Sequence, residues 1–139
     1  MRSPACLILI ICTLAAAVSA QNLPKVLLLG DSVREGYAPF VAELLAGRAK
    51  VVTPKANGRD TGTLLKNLDE WTIREQPDVI HFNCGIHDTK RDKQTGKNNV
   101  PPEQYEATLR EPVKRLRSGT TAKIVFALST PLIDERSKG

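Results

Sequence analysis

Gly30, Asp31 and Ser32 form the first tripeptide in the sequence whose residue types fit catalysis. They follow the run 25–29 (Lys-Val-Leu-Leu-Leu), which is typical of a strand buried on both faces of a parallel sheet. A serine at the turn into a helix presents its hydroxyl at the carboxyl edge of the sheet, where open α/β sheets bind ligands. The helix N-terminus would stabilise a developing anion there. Ser32 is therefore a candidate nucleophile, although Asp and Ser are also ordinary helix caps.

Two further polar clusters follow predicted strands. Asn57-Gly58 comes after the strand predicted at 49–53, and Gly85-Ile86-His87-Asp88 comes after the strand predicted at 78–83. Because the carboxyl ends of parallel strands meet at one edge of a sheet, we expect both clusters to lie beside Ser32. Acyl transfer needs a nucleophile, hydrogen-bond donors for the oxyanion and a general base. These three loops meet the first two requirements.

The elements that must position the loops alternate along the chain. A fourth strand is predicted at 123–128, and helices are predicted at 37–48, at 61–74 and from Pro101 onward, the last with a kink at Pro112. The first helix has an apolar face formed by four residues, Phe40, Val41, Leu44 and Leu45. The polar stretch 89–99 is expected to be a mobile connection beside the site. This alternation specifies right-handed βαβ units, a parallel sheet and one α/β domain.

The first 20 residues differ from the rest in composition. Arg2 is their only charge, an apolar run follows, and Val18-Ser19-Ala20 places small residues where a signal peptidase cleaves. We therefore expect a signal peptide at 1–20, a domain at 21–139 and a secreted or periplasmic protein. The apolar run is too short for a comfortable membrane span, so stable membrane insertion after cleavage is not expected.

Charge and cysteine content narrow the function classes further. The formal net charge is +5, but the basic residues are scattered and aromatic residues make up only 4% of the chain, so nucleic-acid binding is not expected. Of the three cysteines, only Cys84 remains after cleavage at residue 20, which excludes an intrachain disulfide.

The three motifs together resemble those of the SGNH (GDSL-type) hydrolases, a family of esterases and acylhydrolases with a flavodoxin-like fold. The matching segments are 30–32 (Gly-Asp-Ser), 57–61 (Asn-Gly-Arg-Asp-Thr) and 85–88 (Gly-Ile-His-Asp). The resemblance covers nearly the whole chain after residue 20. It implies a three-layer α/β/α fold with a parallel sheet, of which four strands are present and a fifth is expected to be missing. It also implies a serine esterase that acts on a small-molecule or carbohydrate ester without cofactor or metal, and the predicted signal peptide makes this a secreted one.

The resemblance also implies roles for individual residues. Ser32 would be the nucleophile, and its backbone N–H would contribute to the oxyanion hole. Gly58 would supply a second backbone N–H, although Arg59 is close enough in register to leave that assignment open. His87 occupies the position of the oxyanion-hole Asn of the family, which is a departure, and Asn83 is a substitute donor. Two acids, Asp31 and Asp88, match family residues that shape loops.

The general base is the larger departure, because the family takes it from an Asp-x-x-His motif after a later strand, and no such motif follows the strand predicted at 123–128. The only histidines are His81, which we expect to be a core residue of its strand, and His87. A Ser32–His87 pair is a weaker alternative. A zinc site formed by Cys84, His87 and Asp88 is disfavoured, because neighbours this close in sequence rarely span a tetrahedron. Cys84 itself is expected to be inert.

We therefore expect a hydrolase whose C-terminal part, with the catalytic His and Asp, is absent from these residues, and which is a weak esterase or none. The alternative is a secreted carbohydrate- or ligand-binding module with the same fold and no catalysis. A third possibility is a fragment that does not fold stably alone, because its fourth strand would be an uncovered edge.

Overall fold

The computed structural model describes residues 22–129, in which four parallel strands form a single sheet in the order β2-β1-β3-β4. The strands are β1 (Lys25–Leu29), β2 (Lys50–Val52), β3 (Val79–Phe82) and β4 (Lys123–Phe126). The helices are α1 (Ser32–Leu44), α2 (Thr61–Ile73), the short α3 (Ile86–Thr89) and α4 (Pro102–Gly119). The predicted α/β architecture with four parallel strands is confirmed, in the strand order of flavodoxin-like folds.

Two limits of the described range bear on the predictions. The predicted signal peptide and the residues after Ser129 lie outside it. Within 22–129, no helix combines the length and apolar character needed to cross a membrane.

The strand register brings the three predicted site loops to one edge. Leu29 pairs with Phe82 and Phe82 pairs with Phe126, so β1, β3 and β4 end at the same level. The chain leaves β1 at Gly30 and β3 at Asn83, on neighbouring strands. The backbone N–H of Asn83 donates to Leu29 O at 3.2 Å, which extends the pairing one residue beyond the strands.

One face of the sheet carries the apolar core. We call it the core face: Leu27, Leu29, Ile80 and Phe82 lie on it, each without solvent exposure. Helices α2 and α4 cover it with buried leucines at Leu64, Leu68 and Leu116. Because side chains alternate along a strand, Leu28 and His81 belong to the opposite face, where Tyr37 of α1 contacts His81. We call that opposite face the α1 face.

Helix α1 differs from its prediction in both start and orientation. It begins at Ser32 rather than at residue 37, because the Asp31 side chain caps it. Phe40 and Leu44 are 66% and 71% exposed, so the predicted apolar face is wrong at these two residues, whereas Val41 and Leu45 are half-buried. The residues that turn inward are at 34, 37, 38, 41 and 45, a helical spacing that starts from the buried Arg34.

The stretch 89–99, predicted as a mobile connection, begins with the last residue of α3, Thr89, and contains a closed turn. Arg91 and Asn98 form an isolated antiparallel bridge, and the Asp92 side chain accepts from Thr95 N at 2.7 Å inside the turn. Helix α4 runs without a break through Pro112, whose side chain is buried.

Candidate active site

The turn between β1 and α1 presents Ser32 at the carboxyl edge of the sheet. Asp31 is 1% exposed, and its Oδ1 accepts from Val33 N at 2.9 Å. Ser32 is the first helical residue and is exposed. The first N–H groups of a helix have no acceptor within the helix. An exposed hydroxyl and a helix N-terminal N–H therefore lie together, which is the arrangement that a nucleophile with its own oxyanion donor requires.

Gly30 is a glycine for a steric reason. Its φ is +154°, and a Cβ atom at this position would collide with Asn83 Oδ1. Asn83 is 6% exposed and follows β3 directly. The close approach of Asn83 to Gly30 fixes the position of the Asn83 side chain next to the Ser32 turn.

The loop between β2 and α2 contacts the Ser32 turn through backbone atoms. Gly58 N donates to Gly30 O at 2.9 Å, and a Cβ at Gly58 would lie only 2.7 Å from the same oxygen, so no larger residue fits. The Gly58 N–H thus has an acceptor inside the protein. Arg59, at a left-handed φ of +46°, donates its N–H to Asn57 Oδ1 at 2.8 Å. For Gly58 to serve an oxyanion, as predicted, its bond to Gly30 would have to be exchanged.

Arg34 is a site-forming residue that the sequence reasoning missed. Its side chain is 4% exposed, and its guanidinium donates to Ala56 O at 3.1 Å and to Pro54 O at 3.4 Å. The next residue, Glu35, accepts from Asn57 Nδ2 at 3.0 Å. Helix α1 therefore holds the loop that contains Gly58. The inward helical positions 34, 37, 38 and 41 include this arginine, but the contacts that hold it there are with Pro54 and Ala56, which are distant in sequence.

The loop between β3 and α3 is anchored by a buried carboxylate. Asp88 has no solvent exposure and accepts from Thr61 N at 3.2 Å and from the Thr61 hydroxyl. This bond ties α3 to the start of α2. Gly85, at φ +134°, has no room for a side chain because a Cβ would lie 2.9 Å from Tyr105 Oη. Asp88 thus shapes the loop that carries His87.

His87 is half-buried on α3 and lies close enough to Asp60 to affect the pKa of that carboxyl group. Burial acts to raise the pKa of Asp60, but hydrogen bonds from Thr63 lower it on balance, and the charges of Arg59 and His87 act in the same direction. No hydrogen bond within residues 22–129 joins Ser32 to His87. The alternative of a Ser32–His87 pair therefore has no bond to support it in this structure.

Cys84 lies in the core, whereas His81, which was expected to be a core residue, lies on the α1 face. His81 is half-buried on β3, its Nδ1 lies 3.2 Å from Tyr37 Oη, and burial lowers its pKa. Cys84 is 2% exposed within the core, and burial raises the pKa of its thiol to about 12, which leaves no useful thiolate at neutral pH. Over the described range, no three His, Cys, Asp or Glu side chains are grouped so as to hold a metal ion.

The central β1 strand, the serine at its carboxyl end and the three glycine-containing loops form an α/β arrangement like that of the SGNH-type hydrolases, which the three motifs resemble. Curated relatives agree with this class. The chain is similar to proteins named isoamyl acetate-hydrolyzing esterase 1 homolog from Rattus norvegicus (29% identical over 131 residues) and Mus musculus (28%). Each alignment covers 87% of this chain and 53% of the relative, so the chain spans about half the length of these relatives. No protein-family model matches the sequence.

Solved structures share the fold. The acetylxylan esterase Axe2 from Geobacillus stearothermophilus, in a catalytic-mutant form, superposes with a TM-score of 0.63 at 24% identity over 74% of this chain and 58% of its own. TesA gives 0.62 at 20% identity, over 77% and 62% of the two chains. The acetyl xylan esterase AlAXEase gives 0.61 at 20% identity, over 73% and 56%. The resemblance to SGNH-type ester hydrolases is therefore confirmed in sequence and in fold.

Proposed function

We propose that this protein is a serine ester hydrolase in which Ser32 is the nucleophile. The observation that carries the proposal is the position of Ser32, exposed as the first residue of a helix that Asp31 caps at the end of a central strand. Ser32 Oγ would attack the ester carbonyl, the C–O bond to the alcohol would break, and the alcohol would leave with a proton. Water would then hydrolyse the acyl-serine and restore the hydroxyl.

The developing oxyanion needs at least two donors. The Ser32 N–H is one, because the first turn of a helix leaves it without an internal acceptor. The side chain of His87 or Asn83 is the second, and Gly58 N–H is an additional donor once its bond to Gly30 is exchanged. This order of oxyanion donors differs from the sequence analysis, in which the Gly58 N–H was the second backbone donor beside that of Ser32.

The general base is the weak point of the proposed reaction. Neither His81 nor His87 makes a hydrogen bond to Ser32 within residues 22–129. The one Asp-x-x-His spacing in the sequence, from Asp78 to His81, leads into β3, and its histidine contacts Tyr37. The structural neighbours include two catalytic mutants of Axe2, one with a His and one with an Asp replaced by Ala. Loss of a triad member typically costs several orders of magnitude in rate. We therefore propose slow acylation of Ser32 and slower turnover for this chain.

The substrate class is proposed as a small-molecule or carbohydrate ester. The curated relatives are named for isoamyl acetate, and two of the structural neighbours are acetylxylan esterases. These names support a short acyl group, acetyl above all. The proposal needs neither cofactor nor metal, and the signal-like pattern at 1–20 supports action outside the cytoplasm.

The test is covalent trapping with p-nitrophenyl acetate, followed by intact-protein and peptide mass spectrometry. We expect the added mass of one acetyl group on the peptide that contains Ser32. Ser32→Ala abolishes this adduct, whereas the matched control Ser118→Ala, on the exposed surface of α4, retains it. Acetylation spread over lysines and unchanged in Ser32→Ala contradicts the proposal.

The binding module remains the second candidate, favoured by the lack of a hydrogen-bonded base at Ser32 among residues 22–129. It predicts no Ser32 adduct together with saturable binding of an acetylated oligosaccharide in calorimetry. An adduct confined to Ser32 rejects this alternative, since a binding module has no need for a reactive serine.

A further inference from the structure

Tyr37, His81 and Asn83 form a continuous chain of polar contacts next to the Ser32 turn. Tyr37 Oη lies 3.2 Å from His81 Nδ1 and 3.5 Å from Asn83 Oδ1. Tyr37 belongs to α1, the helix that begins with Ser32, whereas His81 lies on β3 and Asn83 follows it. These contacts therefore join α1, the helix that begins with Ser32, to β3, the strand that leads to His87. Neither Tyr37 nor His81 has a part in the reaction proposed above.

The packing around Tyr37, His81 and Asn83 leaves these three side chains little freedom. Tyr37 and His81 are half-buried, with their rings edge to face at a centroid distance of 5.8 Å and an interplanar angle of 86°. Asn83 is 6% exposed, and its Oδ1 packs against the Cα of Gly30. A buried amide oxygen needs a donor. Among the hydrogen bonds of residues 22–129, the Tyr37 hydroxyl is the one that supplies it.

The direction of the hydrogen bonds among Tyr37, His81 and Asn83 follows from the donors available. Asn83 Oδ1 can only accept, so Tyr37 must donate its single proton to it. The Tyr37 oxygen must then accept from His81, and His81 must carry its proton on Nδ1. The order is His81 Nδ1–H to Tyr37 O–H to Asn83 Oδ1. In this order both contacts are hydrogen bonds, whereas a Tyr37 hydroxyl that donates to His81 leaves Asn83 Oδ1 without a donor.

We infer that Tyr37 and His81 are positioning residues, which hold the Asn83 side chain with Oδ1 against Gly30 and its NH2 group free to donate to an oxyanion at Ser32. No residue within 22–129 accepts from Asn83 Nδ2, so the group is uncommitted there. The role in catalysis rests on the proposed function, whereas the orientation of Asn83 and the tautomer of His81 do not.

The first measurement requires no variant. Nitrogen-15 NMR of the imidazole in the 139-residue chain reports which nitrogen of His81 carries the proton at neutral pH. We expect the Nδ1–H form at His81, with His87 in the same spectrum as an internal reference. Predominance of the Nε2–H form at His81 overturns the inference, because the chain of hydrogen bonds could not then run toward Asn83.

The second measurement compares Tyr37→Phe with Tyr105→Phe. Each variant removes one half-buried phenol hydroxyl, and Tyr105 Oη donates to Cys84 O at 3.1 Å without contact to His81. We expect similar losses of stability. Only Tyr37→Phe should shift His81 toward Nε2–H and broaden or move the side-chain NH2 signals of Asn83. Unchanged His81 and Asn83 signals in Tyr37→Phe overturn the inference.

The catalytic readout is the rate of Ser32 acetylation by p-nitrophenyl acetate. We expect Tyr37→Phe to slow it about tenfold through loss of a preorganised donor, with little change in the concentration of ester that gives half the maximal rate. An unchanged rate, with the NMR changes present, overturns the positioning role. If the wild-type chain acetylates no Ser32 at all, the proposed function fails, and the NMR measurements alone decide whether Tyr37 and His81 orient Asn83.

Discussion

The two faces of the sheet differ in what they contribute. On the core face, Leu29 and Phe82 are fully buried and pack with leucines of α2 and α4. On the α1 face, only Leu28 is comparably buried, His81 is half-buried, and Val125 is 45% exposed. The α1 face instead carries polar contacts, with Arg34 and Tyr37 as the donors. Burial of apolar area is therefore concentrated on the core face, and the precise placement of the site loops depends on the α1 face.

Phe82→Ala tests this division with the largest expected effect. Phe82 has no exposure and packs on Phe126 at a ring-centroid distance of 5.0 Å. Its removal should lower the free energy of unfolding by about 3–5 kcal/mol, the usual cost of truncating a buried Phe. Urea unfolding monitored by circular dichroism measures the change.

Val125→Ala is the control on the α1 face, where Val125 pairs with His81 of β3 and is 45% exposed. We expect a change within about 0.5 kcal/mol, as for most exposed positions. A loss as large as that of Phe82→Ala would mean that the two faces contribute equally to stability, and the comparison would fail.

Arg34→Met is expected to have the next largest effect, and on the α1 face. It leaves the carbonyls of Pro54 and Ala56 without their charged donor, which should cost about 2 kcal/mol. The loss should be local, with faster amide hydrogen exchange in 54–59 while the amides of β3 retain their protection. Arg34→Lys restores the charge but not the planar fork, so it should recover only part of the stability. Uniformly faster exchange throughout the sheet would contradict a local role.

The sequence was sufficient for whatever depends on local pattern. Apolar runs predict the four strands, and their alternation with helices predicts the parallel sheet and the edge on which Ser32 lies. The exposure of Phe40 and the burial of Arg34 were not predicted, because the inward side of α1 depends on contacts with a loop distant in sequence.

The competing bond of Gly58 N–H could not be predicted for a related reason. A motif indicates that two loops share an edge, but it does not specify that their backbones approach closely enough for Gly58 N to reach Gly30 O. The Asp88 bond to Thr61 likewise joins two loops 27 residues apart. In each of these cases the missing information is a contact between segments that the local pattern treats separately.

The smallest expected effect is a pH dependence that belongs to the α1 face alone. Burial lowers the pKa of His81, so the folded protein takes up a proton there at lower pH than the unfolded chain, whose histidine titrates near about 6.5. Above that pH both states are neutral at this residue. As the pH falls below it, the unfolded state binds more protons and stability decreases until the folded His81 is also protonated. On the core face, Cys84 has a pKa of about 12 and does not titrate in this range.

Urea midpoints at pH about 7.5 and about 5.5 bracket the unfolded histidine value and measure this effect. The midpoint should fall with pH in the wild-type chain and in His87→Gln, and it should fall less in His81→Gln. Two aspartates do not titrate within this window. Hydrogen bonds within the fold lower the pKa of Asp92, and they lower that of Asp60 against the opposing effect of burial. If the fall of the urea midpoint with pH disappears in His87→Gln instead, the pH dependence belongs to the β3–α3 loop. Titration would then no longer distinguish the two faces of the sheet.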